Sequence, residues 1–380
     1  MKTQTSLTPL PVADERPDDL ARKDKSPRAS GGLPSLFDDA ESHPGIRKAA
    51  MTSPSHYRHI SLRRLLRDRL KQQYFAIYKL GVRLGVHILP AHYYAPVPNI
   101  IELERTVDRW AKPSAMAGVD IDLDEQVDNL RRVCAPFQQE FCGNPLYKHA
   151  VNQPFRSGHS RFFGYIEAQV LYAAIRYYKP ARLIEIGGGV PSYCASQAIS
   201  MNRRDTGING HTTCIEPDPV DMIKNLDKTS EHFELIARPI QDVPLKYFTQ
   251  LQPNDIVSID SNHVVKPGGE VNYIVLEILP IIPKGVLVQI HDIYFPYVYD
   301  REVLRNFLHT SETPLVAAFL ACNTRYKILF ALSMLHYGRR REMQSALPEY
   351  QPESDWQGMR VGEYDEGKHF PSSLWLRVEG

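Results

Sequence analysis

The 380-residue sequence predicts an α/β fold, a seven-stranded and mostly parallel sheet flanked by helices. Three observations carry this. A short apolar run, Leu183, Ile184 and Ile186, ends in three glycines, Gly187 to Gly189. A run of that length suits a buried strand, and glycine allows a close approach that a β-carbon would block. About 27 residues on, TTCIEP (212–217) ends a second run in an acid, Glu216. Further apolar runs alternate with helical segments, as βαβ units require.

The elements follow in chain order. Residues 1–55 are rich in proline, serine and charge, with Phe37 as their one aromatic, and are expected to form a disordered tail. Residues 58–84 space Leu62, Leu65, Leu66, Leu70, Tyr74 and Ile77 helically, with Arg63, Arg64, Arg67, Arg69 and Lys71 between them. Two readings stand. The helix attaches to an anionic membrane or polymer, or it packs on the domain with its charges solvated. HYYAPVPN (92–99) is a proline-broken aromatic loop. A helix over 123–141 aligns Val127, Leu130, Cys134, Phe137 and Phe141 as core. Another, over 162–180, is ended by Lys179-Pro180 and leads into strand one. FELIA (233–237), NDIVSID (254–260) and GVLVQIHD (285–292) are strands three to five; a helix over 271–282 separates the last two. YKILFALS (326–333) and SSLWLRV (372–378) complete the seven. Three regions result: the tail (1–55), a helical extension that shapes the substrate side (56–158), and an α/β domain (159–380).

A glycine turn after strand one and an acid ending strand two form a nucleoside site. A dinucleotide fingerprint places Gly or Ala where this chain has Ser192. Glu185-x-Gly187-x-Gly189 instead resembles motif I of class I S-adenosylmethionine (SAM)-dependent methyltransferases. That resemblance implies a Rossmann-like sheet of order 3-2-1-4-5-7-6. It implies cofactor contacts from Glu185, Gly187, Gly188, Gly189 and Glu216, from Gln241-Asp242 beside the adenine, and from Tyr165 on the helix over the cofactor. Right-handed crossovers gather all strand ends along one edge.

IDSNHVVKPGGEVNY (259–273) and VQIHDIYFP (288–296) resemble the metal-dependent O-methyltransferases of the catechol and macrolide-sugar types, and the cephalosporin-hydroxylase-like group. This implies a divalent metal on Asp260, His291 and Asp292, with His263 as general base. Two carboxylates suit Mg²⁺, and the imidazole tilts the set toward Mn²⁺, Fe²⁺ or Zn²⁺. The catechol type has Asp-Asn where this chain has His291-Asp292. Tyr294, Phe295, Tyr297 and Tyr299 form either an aromatic wall for an acceptor or a packed loop.

A net charge of +1 gives no support for nucleic-acid binding. Five scattered cysteines without C-x-x-C argue against a disulfide framework and fit a reducing compartment. No leader is visible, and the most apolar stretch (273–290) holds Glu277, Pro280, Pro283 and Lys284, so a cytoplasmic location is expected. Self-association is compatible with the sequence. The expected function is SAM-dependent, metal-assisted methylation of a hydroxyl on a small-molecule or sugar-containing natural product. Three alternatives stay open: a metal-dependent hydroxylase-like enzyme of the same fold, a SAM-binding module without turnover, and a dehydrogenase.

Overall fold

The computed structural model describes residues 62–89, 94–142, 163–299, 303–304, 309–353 and 369–380. The expected tail and the 158/159 boundary lie outside the described residues. The chain divides into two compact units, Met1–His87 and Ile88–Gly380.

In the first unit, α1 spans Leu62–Arg83. It ends at Gly85, whose φ of 76° is the left-handed closure usual at a helix C-terminus. The Val86 N–H returns to the Gly81 carbonyl at 2.8 Å.

The second unit holds the sheet, in the order β3-β2-β1-β4-β5-β7-β6. The strands are β1 (Arg182–Ile186), β2 (His211–Ile215), β3 (Phe233–Ile236), β4 (Ile256–Ile259), β5 (Leu287–Ile290), β6 (Tyr326–Ala331) and β7 (Leu374–Val378). Strands β1 to β5 pair in parallel, while β7 runs antiparallel between β5 and β6. The expected order is therefore observed. The expected sixth strand is two residues shorter, because Leu332 already opens a helix.

Register explains the two-sided core. Leu183, Ile256 and Leu287 align across β1, β4 and β5, and their row faces α2 (Leu123–Cys134), α3 (Tyr165–Tyr178) and α4 (Val190–Thr206). The next row, Ile184, Val257 and Val288, faces the opposite side, where Ile274, Ile278 and Leu279 pack. A two-residue side-chain period on strands covered on both faces demands such near-continuous apolar runs. Asp122 caps α2 by accepting from the Asp124 and Glu125 N–H groups, and Val127, Leu130 and Cys134 join the sheet's core as expected. Pro136 turns the next residues into a 3₁₀ turn, Ala135–Phe137, before Gln138–Phe141 resumes. The helix expected over 271–282 is α-helical only at Glu270–Tyr273, then a π turn (Ile274–Ile278) and a 3₁₀ turn (Leu279–Ile281). Pro280 removes the N–H an α-helix would aim at the Leu276 carbonyl, so the regular ladder cannot continue.

Arg176 pins α3 to its neighbours. Its guanidinium reaches Glu140 at 2.8 Å, Asp205 at 2.6 Å and the Asn202 side-chain oxygen at 2.6 Å, and lies over the Phe137 ring. Among the described residues no helix is long and apolar enough to cross a membrane.

Candidate active site

Ladder hydrogen bonds run one residue beyond each strand tip and so align the residues that follow. Gly187 N–H donates to Ile215 O, Glu216 N–H to Ile236 O, Asp260 N–H to Ile186 O, and His291 N–H to Ile259 O. Gly187, Glu216, Asp260 and His291 thereby form one row along the carboxyl edge. That is where ligands collect in open parallel sheets.

The glycine turn is sterically determined. At Gly187 φ is 83°, and an added β-carbon would lie 1.9 Å from the Asp260 carbonyl oxygen. At Gly188 it would lie 2.8 Å from Cys214 Sγ and 2.5 Å from Ile223 Cδ1. The turn is tied down from both sides. Glu216 accepts from the Gly188 N–H at 3.1 Å and the Asp218 N–H at 2.8 Å. Ser192 accepts from the Gly189 N–H at 3.1 Å and donates to Glu185 at 2.5 Å. Glu185 is 1% exposed, and burial pushes its carboxyl up to about 8. Its second oxygen, Oε1, has no hydrogen-bond partner among the described residues. A backbone cradle open to no β-carbon and an unsatisfied buried acid fit a polar, nucleoside-bearing ligand such as SAM.

On the neighbouring strand ends sit two histidines among carboxylates. His263 Nε2 lies 3.5 Å from Asp260 and 3.7 Å from Asp292, and its Nδ1 lies 2.7 Å from Glu312. Burial works against its charge, but the partners Asp260 and Glu312 and the nearby Asp292 hold its pKa well above the ordinary imidazole range. Burial would raise Asp260, yet His291 and His263 hold it below the usual carboxylate value. His291 is 1% exposed; burial lowers its pKa, and Asp260, Asp292 and Glu167 more than reverse that. His263 and Asp292 both adopt left-handed backbone, with φ of 58° and 54°. Non-glycine residues in that region cluster where a structure holds side chains for function.

Two groups in this cluster carry no local sequence signal. Glu312 opens α5 (Glu312–Leu320), is 1% exposed, and accepts from Ser261 Oγ as well as from His263. Its own N–H and that of Ser311 return to the His263 carbonyl, so α5 and the 261–263 turn are mutually fixed. Glu167 lies on α3, 3.8 Å from His291, and accepts from Ser373 Oγ at 2.5 Å. Ser373 in turn accepts from Gln289, which accepts from Ser258, so a buried polar row crosses the sheet to reach Glu167. Ser372 Oγ donates to Asp292 at 2.7 Å.

The remaining expected residues lie apart from this cluster's contacts. Gln241 and Asp242 form an exposed 3₁₀ turn after β3, and Gln241 donates to the Gly268 carbonyl. The Tyr165 hydroxyl donates to Glu349, which also accepts from Gln169 at 2.6 Å. Tyr294 stacks on Phe370 and Tyr297 packs on Tyr337, so this part of the aromatic stretch is a packed loop. Tyr299 is 42% exposed and meets Trp110 edge-on. The metal expectation for Asp260, His291 and Asp292 is not supported. Asp260 and Asp292 both address the same His263 nitrogen, and His291 turns Nδ1 toward Glu167 and Asp292. Among the described residues no three His, Cys, Asp or Glu side chains are grouped to hold an ion. The side chains as arranged do not fit a resident divalent cation.

Residues 184–293 match the family model described as a methyltransferase domain. The match begins in β1 and ends just beyond His291-Asp292, so it spans the whole row described above and supports methyltransferase as the class of this part of the chain. An uncharacterized protein of Archaeoglobus fulgidus is 28% identical over 170 residues, covering 44% of this chain and 75% of that protein. Among solved structures, the O-methyltransferase TomG from Streptomyces achromogenes, in complex with SAM, is similar at a TM-score of 0.39 and 14% identity, over 62% of this chain and 90% of that one.

Proposed function

We propose that the chain is a SAM-dependent methyltransferase that acts on a hydroxyl of a small-molecule or sugar-containing natural product, with His263 as the proton acceptor. The observation that carries the reading is the single row of Gly187, Glu216 and Asp260 leading into His263. Bound SAM supplies a sulfonium-activated methyl group. Gly187, Gly188 and Gly189 would admit its polar part, Glu216 would accept from the ribose hydroxyls, and Gln241-Asp242 would flank the adenine.

The acceptor side is built from His263 and its carboxylates. Glu312 accepts from Nδ1–H of His263 and so fixes the tautomer that leaves Nε2 facing Asp260 and Asp292. Carboxylates on both sides favour the protonated ring. Nε2 must therefore release that proton before it can take one from an alcohol, and turnover rises with pH. Asp292, held by Ser372 and by its left-handed backbone, and Asp260, held by the ladder to β1, present fixed acceptors that orient the hydroxyl. Residues around Trp110 adjoin the same loop, since the Ser114 N–H donates to the Pro296 carbonyl. They would shape the acceptor side. No divalent ion takes part in this proposal.

Titration calorimetry with S-adenosylhomocysteine and with NAD tests the cofactor. Binding of the first alone supports the reading, and binding of NAD alone overturns it. A screen of hydroxylated acceptors with labelled SAM, run in a chelator, then tests transfer. Product from the wild type and at least about a hundredfold slower formation by His263→Ala are expected. A regulatory module would bind the donor yet label nothing.

A further inference from the structure

The helix α1 in the first unit has a composition that the catalytic reading does not use. Its 22 residues, LRRLLRDRLKQQYFAIYKLGVR, hold seven Lys or Arg against one acid, Asp68. Six apolar side chains of this unit, Leu70, Phe75, Ile77, Leu80, Leu84 and Val86, are each between 53% and 73% exposed. Single exposed apolar residues are ordinary on protein surfaces; six within seventeen consecutive residues are not. Five of the seven basic residues lie in the first half of the helix, and Leu70, Ile77 and Leu80 share one face, within about 80° of one another around the axis. Lys79 reaches back over the Phe75 ring at 4.9 Å, which leaves its cationic end beside an aromatic face.

We propose that this segment is an interfacial anchor: α1 lies in the plane of an anionic lipid surface, with Leu70, Ile77 and Leu80 in the acyl boundary and Arg69, Lys71, Lys79 and Arg83 among the headgroups. Charge decides between the occupants. A second copy of the helix would bring seven cations onto seven, and a neutral apolar partner would leave them uncompensated. An anionic bilayer satisfies both halves at once, by apolar insertion and by electrostatic attraction. The helix is not apolar enough to cross a membrane, so an orientation along the surface is the one its composition allows. The inference is independent of the methyltransferase reading, because no residue of α1 belongs to the proposed active site.

Co-sedimentation of the full-length protein with large vesicles tests it. One set is phosphatidylcholine alone and the other adds phosphatidylglycerol, whose anionic headgroup supplies the surface charge that polybasic segments bind. At low salt at least tenfold tighter binding to the anionic set is expected. Ile77→Glu/Leu80→Glu and Arg69→Glu/Lys71→Glu should each lower that binding tenfold or more, and high salt should do the same to the wild type. Both variants change exposed side chains, and an unaltered circular-dichroism melt verifies that they fold. Equal affinity for the two vesicle sets overturns the proposal. So does an absence of binding, including the case in which the wild type self-associates on gel filtration and Ile77→Glu/Leu80→Glu dissociates it.

Discussion

Glu185→Gln separates the charge of the motif acid from its shape. In the folded chain burial pushes this carboxyl up to about 8 from an ordinary value near 4.5. Below that ordinary value the group is protonated whether or not the chain is folded, and stability is indifferent to it. Between the two values the folded chain keeps a proton that the unfolded chain has released. Unfolding is then favoured by each rise in pH. The slope is about 1.4 kcal/mol per pH unit, so roughly 2.7 kcal/mol is lost between pH 5.5 and 7.5. Above the folded value both forms are ionised and the penalty is complete. Glutamine cannot titrate. It keeps the oxygen that accepts from Ser192 and places an amide N–H₂ where Oε1 now has no partner, a cost of about 1–3 kcal/mol that does not vary with pH. Denaturant unfolding of both proteins at several pH values, without ligand, reads the difference directly. The variant should gain on the wild type steadily from pH 5.5 to 7.5. Parallel stability curves across that window would refute the reasoning, because they would mean that Glu185 is already ionised in its buried site.

Gly187→Ala should cost about 2–5 kcal/mol and abolish S-adenosylhomocysteine binding by calorimetry, since its β-carbon meets the Asp260 carbonyl and its backbone is left-handed. His263→Ala should lower kcat by about 10²–10⁴-fold. In the wild type kcat should climb with pH past the ordinary imidazole range, because His263 must be neutral to accept a proton; Glu312→Gln removes one carboxylate and should move that limb to lower pH. Arg176→Met should lower stability at pH 7 by about 2 kcal/mol by chemical denaturation. Burial raises the Glu140 carboxyl, but its bonds with Arg176 and Tyr172 outweigh this and keep it below its usual value. This contribution is therefore complete above the ordinary carboxylate range and fades as pH falls through the depressed one, so the two curves should converge in acid.

The sheet was legible because its information is local. The strands are runs of four to six residues, most of them rich in apolar side chains, and Gly187 and Glu216 mark the ends of two of them within a span of 30 residues. The strand order came from resemblance to a family with that topology, not from periodicity. Asp260, His263, His291 and Asp292 were readable as a set because they end adjacent strands. What they surround was not. Glu312 lies 49 residues from His263 and Glu167 lies on a helix before the sheet begins, so only tertiary packing brings them in. A resemblance that supplies ligand positions supplies no distances. It could not reveal that Asp260 and Asp292 face an imidazole nitrogen already supported by Glu312. Pro280 foreshadows in kind the departure of 271–282 from a regular α-helix, but the apolar rhythm around it is that of a continuous one, and the π turn already begins at Ile274.

The antiparallel wedge of β7 has a consequence for the order of assembly. Ser372 comes from 80 residues away in sequence to hold Asp292, and it arrives with the strand that enters between β5 and β6. A pairing so distant closes slowly, after local helices and the first parallel strands have collapsed. An intermediate that lacks β7 would be compact and strongly helical, yet its acceptor carboxylate would be untethered. Spectroscopic recovery after refolding would then run ahead of regained turnover, and gentle heating would extinguish activity before it melts the core.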